Sequence, residues 1–113
     1  MSNTERFASY IAAYARKDLA AIDSMLAPEV HLRDWNLNVH GKDAALAETA
    51  KNFTAARMIE IEVLALYQAE SAVAGELRIV VNQSNELHVV DVITFGSEGK
   101  ILSIRAYLGR PNE

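Results

Sequence analysis

One carboxylate, Asp91, lies in the middle of an otherwise apolar strand face. With the two-residue period of a β-strand, Val89 and Ile93 share the face of Asp91. Burying an ionised carboxylate there costs several kcal/mol, so the group must be paired, hydrogen-bonded or neutral. A neutral carboxyl keeps its proton, so neutrality would also give Asp91 a chemical role. A salt bridge to Arg105 or Arg78, or a hydrogen bond to a tyrosine, is the purely structural alternative.

A second aspartate, Asp34, continues the apolar alternation of Val30 and Leu32. A carboxylate that interrupts an apolar face is a candidate for a chemical role. Because Asp34 falls near the end of its predicted strand, it could instead be an ordinary turn or cap residue. The following Trp35 could form a pocket wall or simply cover the core.

Two tyrosines lie on the inward face of the first predicted helix, where Phe7, Tyr10, Ile11 and Tyr14 follow the spacing i, i+3, i+4 and i+7. Such residues are most often core aromatics. Each buried hydroxyl still needs a hydrogen-bond partner, so Tyr10 and Tyr14 are also candidates for polar groups in a cavity.

The elements that must position these side chains follow from composition along the chain. Of 18 Ala residues, 13 precede Arg57, whereas 13 of 17 Val and Ile residues follow it. Ala favours helices and β-branched residues favour strands. This pattern predicts an α+β fold in which the helices of the first half lie on one face of an antiparallel sheet formed by the second half.

The helix boundaries are predicted from local signals. Ser2 and Glu5 have the spacing of a capping box, and Asp18 is placed as the N-cap of a second helix that Pro28 ends. A third helix is predicted from Gly41 to about Thr54, with Leu46 and Phe53 as its buried stripe.

Five strands are predicted, and short polar turns join the last four into a meander. The predicted strands are Glu29–Trp35, Arg57–Tyr67, Ser71–Asn82, Glu86–Phe95 and Lys100–Leu108. Several of these strands are apolar on both faces. Since helices can cover only one face, the outer face is expected to pack against a second copy of the chain, giving a homodimer.

The composition of the chain excludes several classes of function. The chain has 113 residues, 50% of them hydrophobic, which predicts a single domain over residues 1–113. A net charge of −4 argues against nucleic-acid partners, and no apolar run is long enough to cross a membrane. The absence of Cys excludes thiol chemistry, and with no apolar leader a cytoplasmic location is expected. His31, His40 and His88 lack metal-ligand spacing, so no metal is predicted.

Two motifs carry a resemblance to a known family over nearly the whole chain. They are Tyr14-x-x-x-Asp18-Leu19 and the tail that runs from Val90-Asp91-Val92-Ile93-Thr94-Phe95 through Gly99-Lys100-Ile101 to Ile104-Arg105-Ala106-Tyr107. With the element order, they resemble the nuclear-transport-factor-2-like superfamily, and within it the SnoaL-like and ketosteroid isomerase families. The resemblance implies a cone-shaped, curved antiparallel sheet wrapped around three N-terminal helices. This cystatin-like α+β barrel encloses a conical apolar pocket and usually forms a homodimer.

The resemblance also implies roles for three residues. Tyr10 falls at the isomerase's oxyanion-hole tyrosine, Asp34 at its general base, and Asp91 at its protonated oxyanion-hole acid. Ketosteroid isomerase is itself the reference case for two aspartates held in opposite protonation states. The implied reaction is an allylic isomerisation: Asp34 removes a proton next to a carbonyl, and Tyr10 and neutral Asp91 hold the enolate oxygen. It needs no cofactor.

The expected ligand is a small hydrophobic molecule. Its pocket is expected to be lined by residues on the inner face of the sheet and beside it: Tyr14, Trp35, Met58, Leu77, Ile79, Val89, Ile93, Ile104, Ala106 and Leu108. Three alternatives stay open: a SnoaL-type polyketide cyclase, an epoxide hydrolase with an Asp-Arg-Asp group, and a non-catalytic binding or dimerisation module. Arg78 is placed by strand parity on the outer face, which ranks the hydrolase lower.

Overall fold

The computed structural model of the protein describes residues 1–110. Its first helix, α1 (Asn3–Ala15), begins with the predicted capping box. The Glu5 amide donates to Ser2 Oγ at 3.1 Å, and the Ser2 amide donates to Glu5 Oε1 at 2.8 Å. These bonds satisfy two backbone donors that a helix start otherwise leaves unpaired, so the predicted start of α1 is confirmed.

The second helix, α2 (Leu19–Met25), also begins as predicted, because Asp18 Oδ1 accepts a hydrogen bond from the Ala21 amide at 3.0 Å. Its predicted end is wrong. The helix stops at Met25, and Pro28 lies inside the first strand, β1 (Leu26–Arg33). Pro28 is tolerated there because the pairing register of β1 shifts between Leu26 and His31, where the strand has no regular ladder for proline to interrupt.

The third helix, α3 (Lys42–Ala55), has Gly41 as its N-cap. Its buried side chains are Ala45 and Thr49, whereas Leu46 and Phe53, the predicted stripe, are only partly buried against the core. The small residues let α3 approach β1 closely, and the larger ones remain at the edge of the contact.

The remaining strands are β2 (Asn38–His40), β3 (Ile59–Gln68), β4 (Ala72–Val81), β5 (Asn85–Phe95) and β6 (Ile101–Leu108). They form one curved, unclosed sheet with the order β2-β1-β6-β5-β4-β3. The predicted meander from β3 to β6 is confirmed, since each of these strands pairs antiparallel with the next. The α+β cone predicted from the sequence is therefore the observed architecture.

Two details of the predicted sheet are wrong. Within residues 1–110 the sheet has six strands rather than the five predicted, and the additional strand is the three-residue β2. Only Val39 in β2 is apolar, so the strand has no recognisable alternation. The sheet is also mixed rather than antiparallel, because β1 pairs parallel to β6. That pairing joins segments about 70 residues apart along the chain, which local sequence patterns cannot specify.

The helices pack on the concave face of the sheet, where α1 contacts β3 and β4. The largest fully buried side chains include Phe7, Leu77 and Ile93. Gly75 allows the closest approach: a Cβ at this position would lie 2.7 Å from Phe7 Cε1. A glycine in the middle of β4 therefore lets the aromatic ring of α1 reach the sheet.

The longest of the three helices is α3, with 14 residues. At 1.5 Å per residue it is about 21 Å long, shorter than the roughly 30 Å hydrocarbon core of a bilayer. Within residues 1–110, no helix is long and apolar enough to cross a membrane.

Candidate active site

A cavity of about 350 Å³ lies between the concave face of the sheet and the helices α1 and α3. Most of the side chains around it are apolar, and three of the polar ones are the predicted catalytic residues. The lining comprises Tyr10, Ile11, Tyr14, Leu32, Asp34, Trp35, Asn36, Leu37, Thr49, Asn52, Ala55, Ala56, Ile59, Ile61, Leu77, Ile79, Val81, Leu87, Val89, Asp91, Ile104 and Ala106.

Asp91 lies on β5 between two small residues, opposite Gly75 on β4 and Ala106 on β6. These neighbours leave room for its carboxyl group to face the cavity, although the residue is only 9% exposed. Neither structural alternative for Asp91 is observed. Arg78 is bound to Glu86, and Arg105 lies opposite Val92, one position out of phase with Asp91 and hence on the other face.

The environment of Asp91 favours its neutral form. Burial, and secondarily the negative charge of Asp34, raise the pKa of Asp91 from 3.8 to about 7. No hydrogen bond to another residue of the described chain, 1–110, opposes this shift. Near neutral pH a substantial fraction of Asp91 is therefore protonated and can act as a hydrogen-bond donor.

Tyr10 is a second donor at the same wall of the cavity. It is 4% exposed, and burial followed by the charges of Asp91 and Tyr14 raises the pKa of its hydroxyl well above the usual value. The hydroxyl thus keeps its proton at every physiological pH. It has no hydrogen-bond partner among residues 1–110, so its proton is available to a ligand.

Asp34 lies one residue beyond the end of β1, in a tight turn. Its Oδ1 accepts the amides of Asn36 at 2.7 Å and Leu37 at 2.9 Å, and its own amide donates to the Leu37 carbonyl at 3.0 Å. These two amide donors fix the direction of the carboxylate. Oδ2 makes no hydrogen bond within the described chain, which leaves it able to accept a proton.

Tyr14 and Asn52 add a further polar pair to the lining. Asn52 Nδ2 donates to Tyr14 Oη at 3.1 Å. The Tyr14 ring packs edge-on against Phe53, with ring centroids 4.9 Å apart, and it is tilted against Tyr10 at 6.0 Å. These contacts fix the position of the Tyr14 hydroxyl in the cavity wall.

The comparison with family models decides the family. The model of the SnoaL-like domain matches residues 7–104, which includes all three helices except the start of α1, and the sheet up to the middle of β6. The chain belongs to the SnoaL-like family. No curated protein matches this SnoaL-like protein.

Solved structures similar to the SnoaL-like protein have the same fold. SalBIII, an epoxide hydrolase/cyclase-like enzyme in pyran ring formation in polyether salinomycin, is 25% identical, with a TM-score of 0.82 over 95% of this chain and 90% of SalBIII. A hypothetical protein with a ketosteroid isomerase-like fold from Catenulispora acidiphila, in complex with trimethylamine, is 14% identical, with a TM-score of 0.81 over 91% and 84% of the two chains. An LEH-like epoxide hydrolase from M. tuberculosis is also 14% identical, with a TM-score of 0.79 over 95% and 82%.

The structure brings together most of the residues predicted to line the pocket of the SnoaL-like protein. Ten of them lie around the one cavity: Tyr10, Asp34, Asp91, Tyr14, Trp35, Leu77, Ile79, Val89, Ile104 and Ala106. Three do not line it. Met58, in the bend before β3, is 41% exposed, Ile93 is fully buried in the core, and Leu108 at the end of β6 is 49% exposed.

Two of these exceptions, both on the sheet, share one cause. Ile93 and Leu108 have the strand parity of the cavity face, but α1 and its neighbours cover only part of that face. Ile93 lies where the face is filled by core side chains, and Leu108 lies where the strand has passed the cavity. Strand parity predicts on which face of the sheet a side chain lies, whereas the packing of the helices determines which part of that face lines the cavity.

Twelve lining residues lie outside the predicted set, and they come from the helices, the turn after β1 and four strands of the sheet. They include Thr49, Asn52 and Ala55 on α3, together with Ile59 and Ile61 on β3. The alternation of Ile59, Ile61 and Val63 was a signal for the strand residues. For α3 the only signal was its small-residue face.

Elsewhere among residues 1–110, no three His, Asp or Glu side chains gather in a group that could hold a metal ion.

Proposed function

We propose that this SnoaL-like protein is a ketosteroid isomerase-like enzyme that moves a proton next to the carbonyl of a small hydrophobic substrate. The observation that carries the proposal is the pairing of two protonated donors, Tyr10 and neutral Asp91, with a second carboxylate, Asp34, around one apolar cavity. A buried acid kept neutral beside a second carboxylate is an arrangement that can separate acid and base roles.

The proposed reaction has two proton transfers. Asp34 Oδ2 takes the proton from the carbon beside the carbonyl, and the C–H electron pair becomes the C=C bond of an enolate. The carbonyl π electrons move to oxygen, where Tyr10 and Asp91 donate hydrogen bonds to the new charge. Asp34 then returns the proton to the γ-carbon, and the carbonyl re-forms in conjugation. Atoms and electrons balance without a cofactor.

The cavity also supports a particular size of substrate. A volume of about 350 Å³ lies at the lower end of the roughly 300–1,000 Å³ range of small-molecule sites. The walls are mostly aliphatic, with Leu77, Ile79 and Val89 along the sheet. The polar groups are few, so a compact apolar molecule with one or two oxygen functions suits the site best.

A second candidate is an epoxide-opening or aldol-type cyclase. The 25% identity to SalBIII favours it, because SalBIII acts in pyran ring formation. In that chemistry Asp34 would take the proton of an attacking hydroxyl, and neutral Asp91 would give its proton to the epoxide oxygen as the C–O bond breaks. Proton return from Asp34 to Asp91 through solvent restores both groups. No Arg lines the cavity among residues 1–110, so an Asp-Arg-Asp hydrolase is not supported.

Turnover at different pH values tests the proposal. We expect the purified protein to convert a β,γ-unsaturated ketosteroid or a smaller β,γ-unsaturated ketone to the conjugated enone, followed by ultraviolet absorbance. The rate should fall as the pH rises through about 7, because Asp91 then loses the proton that it donates to the enolate. A hydroxy-epoxide assayed in parallel tests the cyclase.

The outcomes separate the candidate functions. Conversion of the ketone alone supports the isomerase, and cyclisation of the hydroxy-epoxide alone supports the cyclase. If a phenol that mimics the enolate binds but neither substrate reacts faster than in buffer, the protein is a non-catalytic binding module. A rate that increases steadily through pH 7 would contradict the proposed role of Asp91.

We also infer a homodimer through the outer sheet face. Val90 and Val92 lie half-buried on this face, and Tyr107, opposite Val90, is 56% exposed. Arg105 Nε on the same face is buried without a hydrogen-bond partner among residues 1–110, a group that a second chain could satisfy.

Sedimentation equilibrium tests the homodimer. We expect a dimer for the unmodified protein and a monomer for Tyr107→Asp, since a charge at this position would be buried in the interface. Leu64→Asp, at a similarly exposed residue of the edge strand β3, is the control and should remain dimeric. A monomeric unmodified protein would refute the inference.

A further inference from the structure

The hydroxyl of Tyr14 has a proton that no residue of the described chain accepts. A tyrosine hydroxyl has one proton to donate and lone pairs that accept. Asn52 Nδ2 occupies the acceptor side of Tyr14 at 3.1 Å. Residues 1–110 place no acceptor against the proton, and Tyr14 lines the cavity, so a ligand in the cavity can accept this proton.

The position of Tyr14 differs from that of the buried donor pair. Tyr14 follows Tyr10 by one helical turn on α1, and the two ring centroids are 6.0 Å apart. Tyr10 is 4% exposed and Asp91 9%, whereas Tyr14 is partly exposed and its partner Asn52 is exposed. Tyr14 therefore lies between the buried pair and the cavity mouth.

The Tyr14 hydroxyl is held firmly in this position. Its ring packs edge-on against Phe53 at 4.9 Å, and Asn52 and Phe53 are neighbours on α3. A donor fixed by both packing and a hydrogen bond loses little further freedom when it binds a ligand. Burial, followed in part by the charges of Asp91 and Asp34, raises the pKa of the Tyr14 hydroxyl, so it stays a donor at neutral pH.

We propose that Tyr14, positioned by Asn52, determines substrate specificity by donating a hydrogen bond to a second oxygen of the substrate. The substrate class is then a compact apolar molecule with two oxygen functions, one bound at the buried Tyr10–Asp91 end and one nearer the mouth. The assignment of the reacting oxygen to the buried end rests on the proposed function. The contact at Tyr14 is a property of the cavity itself.

Binding of phenols tests this proposal by calorimetry or fluorescence. The probes are 2-naphthol, with one oxygen, and the set of 1,3-, 1,4-, 1,5-, 2,6- and 2,7-dihydroxynaphthalenes, which differ in the separation of their two oxygens. We expect at least one dihydroxy isomer to bind the unmodified protein about 10-fold tighter than 2-naphthol, as one additional hydrogen bond allows. In Tyr14→Phe this advantage should disappear while 2-naphthol affinity changes less than threefold.

A second variant tests the part played by Asn52. In Asn52→Asp the new carboxylate can only accept, so it should draw the Tyr14 proton away from the cavity and remove the same advantage with Tyr14 still in place. Tyr67→Phe is the control, because Tyr67 is exposed and donates to Glu76 away from the cavity. This variant should keep the full preference for the dihydroxy isomer.

The results separate this proposal from the isomerase proposal. The role of Tyr14 is overturned if no dihydroxy isomer binds the unmodified protein more tightly than 2-naphthol. It is also overturned if the tighter binding of the dihydroxy isomer persists in folded Tyr14→Phe or in folded Asn52→Asp. If Tyr10→Phe and Asp91→Asn leave 2-naphthol binding unchanged, the donor pair at the buried end fails, whatever the result at Tyr14. If Tyr14→Phe does not fold, as judged by circular dichroism, the proposal is tested by Asn52→Asp alone. The measurement is then the ratio of its affinity for the dihydroxy isomer to its affinity for 2-naphthol.

Discussion

Asp34→Asn is expected to lower kcat on the converted substrate by about 10²- to 10⁴-fold, the usual contribution of a general acid–base group. The amide oxygen of asparagine can still accept the Asn36 and Leu37 amides that Asp34 Oδ1 now accepts. The turn after β1 should therefore keep its shape. What the variant loses is the basic oxygen, Oδ2, that takes the substrate proton.

Three controls separate loss of the base from loss of structure. The Tm of Asp34→Asn should lie within a few degrees of the unmodified protein, and its affinity for 2-naphthol should be retained. Asp23→Asn, which alters an exposed carboxylate paired with Lys42 outside the cavity lining, should keep full activity. Activity of Asp34→Asn within about 10-fold of the unmodified enzyme would exclude Asp34 as the base.

Asp91→Asn is expected to make the protein more stable above pH 7, by on the order of 4 kcal/mol. The folded protein raises the pKa of Asp91 from 3.8 to about 7, chiefly because burial disfavours the charged form. Between these values the folded protein holds a proton that the unfolded chain releases. The stability contributed by neutral Asp91 is full below pH 3.8 and falls by about 1.4 kcal/mol per pH unit until pH 7.

Urea unfolding of both proteins between pH 5 and pH 8 measures this effect. The stability difference between Asp91→Asn and the unmodified protein should grow with pH, because asparagine has no charged form. It should level off above 7, where Asp91 has lost its proton in both the folded and the unfolded state. For a chain of this length it corresponds to a Tm difference of roughly 15–20 °C at pH 8. A difference that does not depend on pH would mean that Asp91 is not kept neutral by the fold.

At Asp91 the requirements of stability and of the proposed function oppose each other. Asp91 lowers stability at its buried position, since a neutral side chain would make the folded state more stable at pH 8. Residues that lower stability in this way are often kept because a site needs them. We expect Asp91→Asn to lose turnover while it gains stability, because the amide is a weaker donor to an enolate than a carboxylic acid.

Most of the fold could be predicted from local sequence signals. The capping box of Ser2 and Glu5 and the cap at Asp18 placed the starts of two helices correctly, because caps act within one helical turn. The meander of β3 to β6 was predictable because short polar turns force neighbouring strands to pair. The strand β2 and the parallel pairing of β1 with β6 were not predictable, since neither leaves a local periodic pattern.

The sequence by itself determined that two carboxylates, Asp34 and Asp91, interrupt apolar faces, because strand periodicity depends only on neighbours along the chain. Only the tertiary structure decided what surrounds them. The packing of α1 and α3 onto the sheet brings Tyr10, Asp34 and Asp91 to one cavity, fills the face at Ile93 and adds Asn52 beside Tyr14. Burial and electrostatic fields arise from contacts between segments distant in the chain, so the protonation of Asp91 is a property of the folded protein alone.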